Sequence, residues 1–472
     1  MIKDDCIYQT LLKYNFELFR GEKGIKEYLE EHLKQFYIDI EGAVNGTNPF
    51  LGNDFIELLK EELDYLKHIC IEIPAVINEF DDGHIKKAYD RSEVLFNRAK
   101  GKFLSRIAYN EYSRCFYRIR PGDFRITDTD NSKKQKAELF HIKKSLRNRI
   151  GAYRYSVAGY PCLYLSSDRE LAWFECGMPK RFSFCQMHIV EDGENALSLI
   201  DFSNRPIDLL SSVTVWLLNA RRQNKENEEI EEIYRFLIKY IVTYPFAAAC
   251  SVKVKNRGNR FVEEYIFPQL IMHWIRESEC FDGVRYKSSL NSTLVRAFGA
   301  INVALPVKSF REDGLDENLT KKIQISDIGY LDVNEDFKRH QQTIKQIKEY
   351  INTLQLYIIE SKFAGNYVSE IIDLCECIIK TYKVLMEGDY ENAELMFTHV
   401  ERLYDHVNLF IMCKDAKISE CYQNALPHEK EYVDAAIIES HFQKFKELSS
   451  KILTKNTVFN FTFENLDNLE YI

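Results

Sequence analysis

An α+β fold, with a mixed central region between two helical flanks, is the class this sequence predicts. Three observations predict it. Gly and Pro are scarce, 19 and 10 among 472 residues, which favours long helices over tight turns. Apolar residues recur at helical spacing in residues 1–110 and again from 336 onward. Between these flanks, short strand-like runs alternate with helices. At roughly 150 residues per domain the length allows about three, with boundaries placed at 1–110, 111–335 and 336–472.

In the first region Tyr8, Leu11, Leu12 and Phe16 share one helical face, as do Ile25, Leu29 and Leu33. A third helix is expected over Phe55–Ile71, stopping before Pro74, and a fourth over Ile85–Ile107. In the middle region strands are expected at Cys115–Ile119, Cys162–Leu165, Phe182–Ile189, Leu197–Ile200, Gly283–Lys287 and Ile301–Val307. Helices are expected at Arg169–Cys176, Pro206–Ala220, Glu228–Ile241 and Val262–Arg276, the last started or interrupted at Pro268. In the third region Leu354, Tyr357, Ile358 and Lys362 suggest one helical face, and Ile371, Ile372, Cys375, Ile378 and Ile379 another. These stripes need a partner, on the central domain or on a second copy of the chain, because a lone amphipathic helix is marginal in water.

Composition narrows the function. The apolar fraction is 45% and the charged fraction 29%, the profile of a globular chain. The net charge of −9 disfavours general nucleic-acid binding, which depends on clustered cations. The run Lys133, Lys134, Lys136, Lys143, Lys144, Arg147 and Arg149 is either a local basic patch or a solvated loop. Twelve Cys show no zinc-ligand spacing: Cys375 and Cys377 are two apart, and His68 and Cys70 have no second pair nearby. The opening MIKDDCIYQT lacks the apolar core of a secretory signal, and the apolar stretch Ile241–Val252 is too short for a bilayer and contains Pro245. A cytoplasmic, thiol-reducing setting without a membrane is therefore expected.

Three segments carry candidate chemistry: RYSVAGYPCLYL (Arg154–Leu165), SSDRELAWFECG (Ser166–Gly177) and FDGVRYKSSLN (Phe281–Asn291). Arg154 precedes a Gly159/Pro161 turn that feeds a short strand, where its planar fork either grips a phosphate or pairs with a surface carboxylate. Glu175 follows Leu171, Ala172, Trp173 and Phe174. It is either the solvated edge of a helix or a desolvated, tunable acid or base. Ser288 and Ser289 follow a strand, and no Gly-x-Ser-x-Gly elbow accompanies them.

In combination, Arg154, Tyr164, Glu175 and Ser288 resemble the signature of the RES family, named for its Arg, Glu and Ser. The supporting segments CFYRIRP (Cys115–Pro121) and YIFPQLIMHWI (Tyr265–Ile275) resemble that family's opening strand and the stretch leading to its Ser. The likeness covers roughly residues 112–310, about 40% of the chain. One departure stands out: the small toxin members carry Arg-Trp-Asn where this chain has Arg154-Tyr155-Ser156, so an Asn hydrogen bond has to come from elsewhere.

The resemblance implies an ADP-ribosyltransferase-like domain with a split sheet that consumes NAD⁺, by hydrolysis or phosphorolysis, as a toxin or anti-phage effector. It implies that NAD⁺ is a substrate, that inorganic phosphate is a candidate acceptor, and that neither metal nor recycled cofactor is required; no Gly-rich Rossmann turn is present either. By the same resemblance Arg154 binds the pyrophosphate, Tyr164 borders the nicotinamide, Glu175 stabilises the ribosyl cation, and Ser288 bonds phosphate or ribose. Tyr155 and Ser289 are further substrate-binding candidates. Control by an inhibitor, an antitoxin or a trigger protein is expected, as is a homo-oligomer. Helical N-terminal regions of longer RES proteins are likened to HEPN bundles. Three alternatives remain: ADP-ribosylation of a macromolecule, a non-catalytic scaffold, and a HEPN-type RNase, whose Arg–His spacing Arg402 and His406 miss by one residue.

Overall fold

The computed structural model describes residues 4–332, except 15–17, 105–114, 125–131, 168, 178, 180, 190–196, 224–226, 257–258, 289–300 and 310–313. The expected third region, 336–472, and with it Arg402, His406, Cys375 and Cys377, lies outside the described residues. Within them the fold is α+β, a mixed eight-stranded sheet with most of its helices packed on one face and two short ones on the other.

Four helices open the chain: α1 (Cys6–Lys13), α2 (Ile25–Val44), α3 (Asn53–Asp81) and α4 (Ile85–Ala99). The buried Asp5 caps α1, accepting from Tyr8 N at 3.3 Å, and its second oxygen accepts from Phe50 N and Leu51 N at 3.2 and 3.0 Å. One carboxylate thus fixes both a helix start and the turn before α3. The helix α3 does not stop before Pro74 as expected but continues through it to Asp81. Burial of Ile69, Ile73, Pro74 and Ile77 supplies packing that offsets the missing backbone donor. The helix α4 ends at Ala99 rather than Ile107, ahead of Gly101.

The remaining order is β1 (Cys115–Pro121), α5 (Ser132–Leu139), a 3₁₀ turn at Lys144–Arg149, β2 (Cys162–Ser166), α6 (Arg169–Glu175), β3 (Arg181–Ile189), β4 (Leu199–Phe202), α7 (Pro206–Arg222), α8 (Asn227–Ser251), α9 (Ile266–Glu277), β5 (Gly283–Lys287), β6 (Ile301–Pro306), α10 (Glu317–Lys322), β7 (Ile323–Ile325) and β8 (Gly329–Asp332). Like α3, α8 runs past a proline, Pro245, and every residue from Tyr240 to Cys250 is buried. The apolar stretch at Ile241–Val252 is thus mainly the inner end of a core helix, and among the described residues no helix is long and apolar enough to cross a membrane.

The strand order is β4-β5-β6-β2-β1-β3-β7, with β8 also pairing β3. Among the described strands only β4 and β5 pair in parallel, joined through α7, α8 and α9. The two halves of the sheet meet thinly: β1 and β2 share the single register pair Tyr117–Ser166, whereas β1 pairs β3 along its whole length. The Arg118 guanidinium spans this seam, donating to Tyr164 O at 2.9 Å and to Leu139 O at 3.1 Å. The expected split is therefore a weak seam in one continuous sheet.

Strand alternation sorts the two faces. Leu163, Leu165, Val303 and Leu305 join Phe116, Met187 and Ile323 in one core. Val284 and Ala304 face the other way, into a core shared by α1–α4 and α7–α9. The described residues of 1–110, a stretch expected as a separate helical domain, thus pack into the same apolar core as the helices of the central region. Tyr8 Oη reaches Thr214 Oγ1 on α7 at 3.1 Å, and Arg20 reaches Glu264 at 2.8 Å.

Candidate functional site

The site forms where a row of side chains crosses the sheet beside the seam. Register places Tyr286 (β5) opposite Asn302 (β6), and Asn302 opposite Ser166 (β2). Asn302 is 3% exposed and sits in an otherwise apolar strand. A buried amide must satisfy both its ends. Its Oδ1 accepts from Ser166 Oγ, and its Nδ2 donates to Glu175 Oε1 at 2.8 Å. Ser288, directly after β5, donates to the same Oε1 at 2.7 Å. Glu175 and Ser288, 113 residues apart in the chain, are thereby brought together.

Local sequence explains how Glu175 reaches this point. It is the last residue of α6, which returns from the end of β2. Leu171, Ala172 and Trp173 are buried, and Trp173 Nε1 donates to Pro179 O at 2.8 Å. Cys176 Sγ contacts Ile119 O at 3.1 Å, and Gly177 turns the chain away with φ of 79°. The helix is held by its inner side, leaving Glu175 exposed at its end. Of the two expectations for this carboxylate, desolvation beside Trp173 does not describe it. It is a solvated helix edge whose one oxygen is fixed by two donors.

Tyr164 lies two residues before Ser166, on the same face of β2. It is half-buried and packs against the helical core, with its Oη donating to Ser156 Oγ at 3.0 Å. Burial pushes its phenol well above the ordinary value. Tyr286 is likewise raised, first by burial and then by the Glu175 charge. Both phenols therefore stay neutral, with intact O–H groups, at neutral pH.

Arg154 is placed differently from the phosphate-gripping role that the family resemblance implies. It is buried, and its Nη1 and Nη2 donate to Cys250 O and Val252 O at 2.7 and 2.8 Å. It clasps the C-terminal end of α8, where carbonyls lack helical partners. Its neighbours serve the site instead. The Tyr155 ring lies 4.4 Å from that of Tyr286, and Ser156 receives the Tyr164 hydroxyl. Tyr155 is buried, so it presents a packing surface. Ser289 lies outside the described residues.

The structure thus assembles Glu175 and Ser288 at one point, with Tyr164 along the same strand face, and turns Arg154 toward α8. Sequence reasoning missed Asn302 and Tyr286. The available signal was a single amide inside the apolar run Ile301–Pro306, at the strand following the Ser288 segment. Among the described residues no group of three or more His, Cys, Asp or Glu is arranged to hold a metal ion.

No family model matches the chain. No solved structure matches it either. Among curated proteins, it is 28% identical over 265 residues to the Bacillus subtilis (strain 168) protein named "Putative toxin YopC". The match covers 54% of this chain and 56% of that protein, so the chain spans about half the length of the curated relative it matches.

Proposed function

We propose that this chain cleaves the nicotinamide–ribose bond of NAD⁺, with water or phosphate as acceptor, and acts as a toxin or defence effector by depleting NAD⁺. The observation that carries this reading is the Glu175 carboxylate fixed by Ser288 and Asn302, with Tyr286 on the strand position opposite Asn302. The similarity to a protein named as a toxin supports the harmful outcome.

The bond is already activated, because nicotinamide leaves a cation's position as a neutral molecule. The protein has to hold the ribose and stabilise positive charge that grows at its anomeric carbon. Glu175 supplies the negative charge. Two donors to one oxygen hold the carboxylate in place before the substrate arrives, so little reorganisation is left for the reaction itself. Tyr286 and Tyr164 border the nicotinamide and ribose. Arg154 acts as a positioning residue, anchoring the loop that packs on Tyr286 and holds Tyr164. An enzyme of this kind needs restraint in its own cell, by an inhibitor, an antitoxin, a trigger or assembly into an oligomer.

Expression of the intact chain in bacterial cells should collapse the NAD⁺ pool before growth stops, and the Glu175→Gln chain at equal abundance should leave the pool at its resting level. Growth arrest with an unchanged NAD⁺ pool would remove this reading.

A further inference from the structure

A second place in the molecule has the chemistry of an anion site, at the opposite end of β2 from Glu175. Arg276 closes α9 with its guanidinium over the ring of Tyr160, 4.7 Å from the centroid. Its Nε is buried and has no hydrogen-bond partner, and the side chain forms no ion pair among the described residues. Its neighbour Glu277 lies instead 3.5 Å from His273. Arg276 is only partly buried as a whole, but leaving a buried guanidinium nitrogen unpaired is costly unless an anion completes it. Burial indeed pulls the Arg276 pKa down, with the nearby Cys162, Tyr160, Tyr89 and Glu277 opposing it.

A second guanidinium lies close by. Arg147 lies 5.4 Å from the same Tyr160 ring, and Tyr160 is 40% exposed. Gly159 makes room for it: its φ is +80°, and a Cβ there would come within 3.4 Å of Arg147 Nη2. The Gly159–Pro161 turn thus sets one partly exposed aromatic ring against two cations.

We propose that Arg276 and Arg147, braced on Tyr160, form a binding site for a phosphate group. The planar forks suit phosphate oxygens in two-pronged contact. Four residue steps along β2 separate Cys162, near Arg276, from Ser166, about 13 Å of strand. The phosphate here is therefore not the group that would attack the ribose. It is either free phosphate or the diphosphate of a nucleotide. The site does not depend on NAD⁺ cleavage and stands or falls separately.

Titration calorimetry on the full chain, at matched ionic strength, tests it with inorganic phosphate and with ADP-ribose. Arg276→Gln should weaken binding about tenfold or more, the scale of losing charge-assisted hydrogen bonds. Arg147→Gln should weaken it less, and because Arg147 is exposed that variant keeps the fold. Loss confined to inorganic phosphate identifies free phosphate as the occupant; loss with ADP-ribose as well identifies a nucleotide diphosphate. Wild-type protein that binds neither ligand, or variants that bind both as wild type does, would overturn the site. Turnover of NAD⁺ enters none of these readings.

Discussion

Glu175→Gln is expected to lower the rate of NAD⁺ breakdown by on the order of 10²–10³ while the protein stays folded. The size of this effect follows from where charge develops. The ribosyl centre becomes cationic only near the transition state, so a carboxylate beside it lowers the barrier more than it tightens substrate binding. Gln keeps the shape and can still accept from Ser288 at its carbonyl oxygen, but its charge is gone. Asn302 Nδ2 keeps an acceptor too, if the new amide presents its oxygen. The expected split is a fall in kcat with KM little changed. An unchanged kcat in purified Glu175→Gln protein would remove Glu175 from the chemistry.

Arg154→Ala is expected to act mainly on stability, with a loss of about 3 kcal/mol. The side chain is buried and spends two donors on Cys250 O and Val252 O. Alanine leaves both carbonyls without those donors at the end of a helix buried over most of its second half. The loop bearing Tyr155 and Ser156 also loses its anchor, so activity should fall through disorder around Tyr286 and Tyr164. Urea denaturation reads the first effect directly. A substrate-contacting Arg154 predicts the opposite pattern, a raised KM at undiminished stability. Wild-type stability in Arg154→Ala would show that the α8 contact is dispensable.

The element pattern was legible in the sequence. Each expected strand from Cys115 to Val307 has its counterpart, and β5 coincides at Gly283–Lys287, because alternation and strand-forming residues are local properties. The helix ends near the prolines were placed too early. Pro74 read as a helix end, and the helix expected over Glu228–Ile241 runs on past Pro245; both helices are so thoroughly buried there that packing outweighs a lost backbone bond. The short β7, β8, α5 and α10 have too few residues to show a period.

The candidate site was half legible. Motif spacing pointed to Glu175 and Ser288, and the fold brings them within a hydrogen bond. The partner that links them to the sheet, Asn302, is set by the β2–β6 register, and pairing between strands 136 residues apart leaves no local trace. Arg154 shows the converse. Its position in the motif was visible, but the choice between a phosphate and a helix end depends on where α8 stops, nearly a hundred residues downstream.

The most direct measurement is incubation of the purified 472-residue chain with NAD⁺, with and without inorganic phosphate, followed by mass spectrometry. The account predicts nicotinamide released in step with NAD⁺ loss, accompanied by ADP-ribose from water or ADP-ribose 1-phosphate from phosphate. Intact NAD⁺ after prolonged incubation with folded protein, in both buffers, would contradict it.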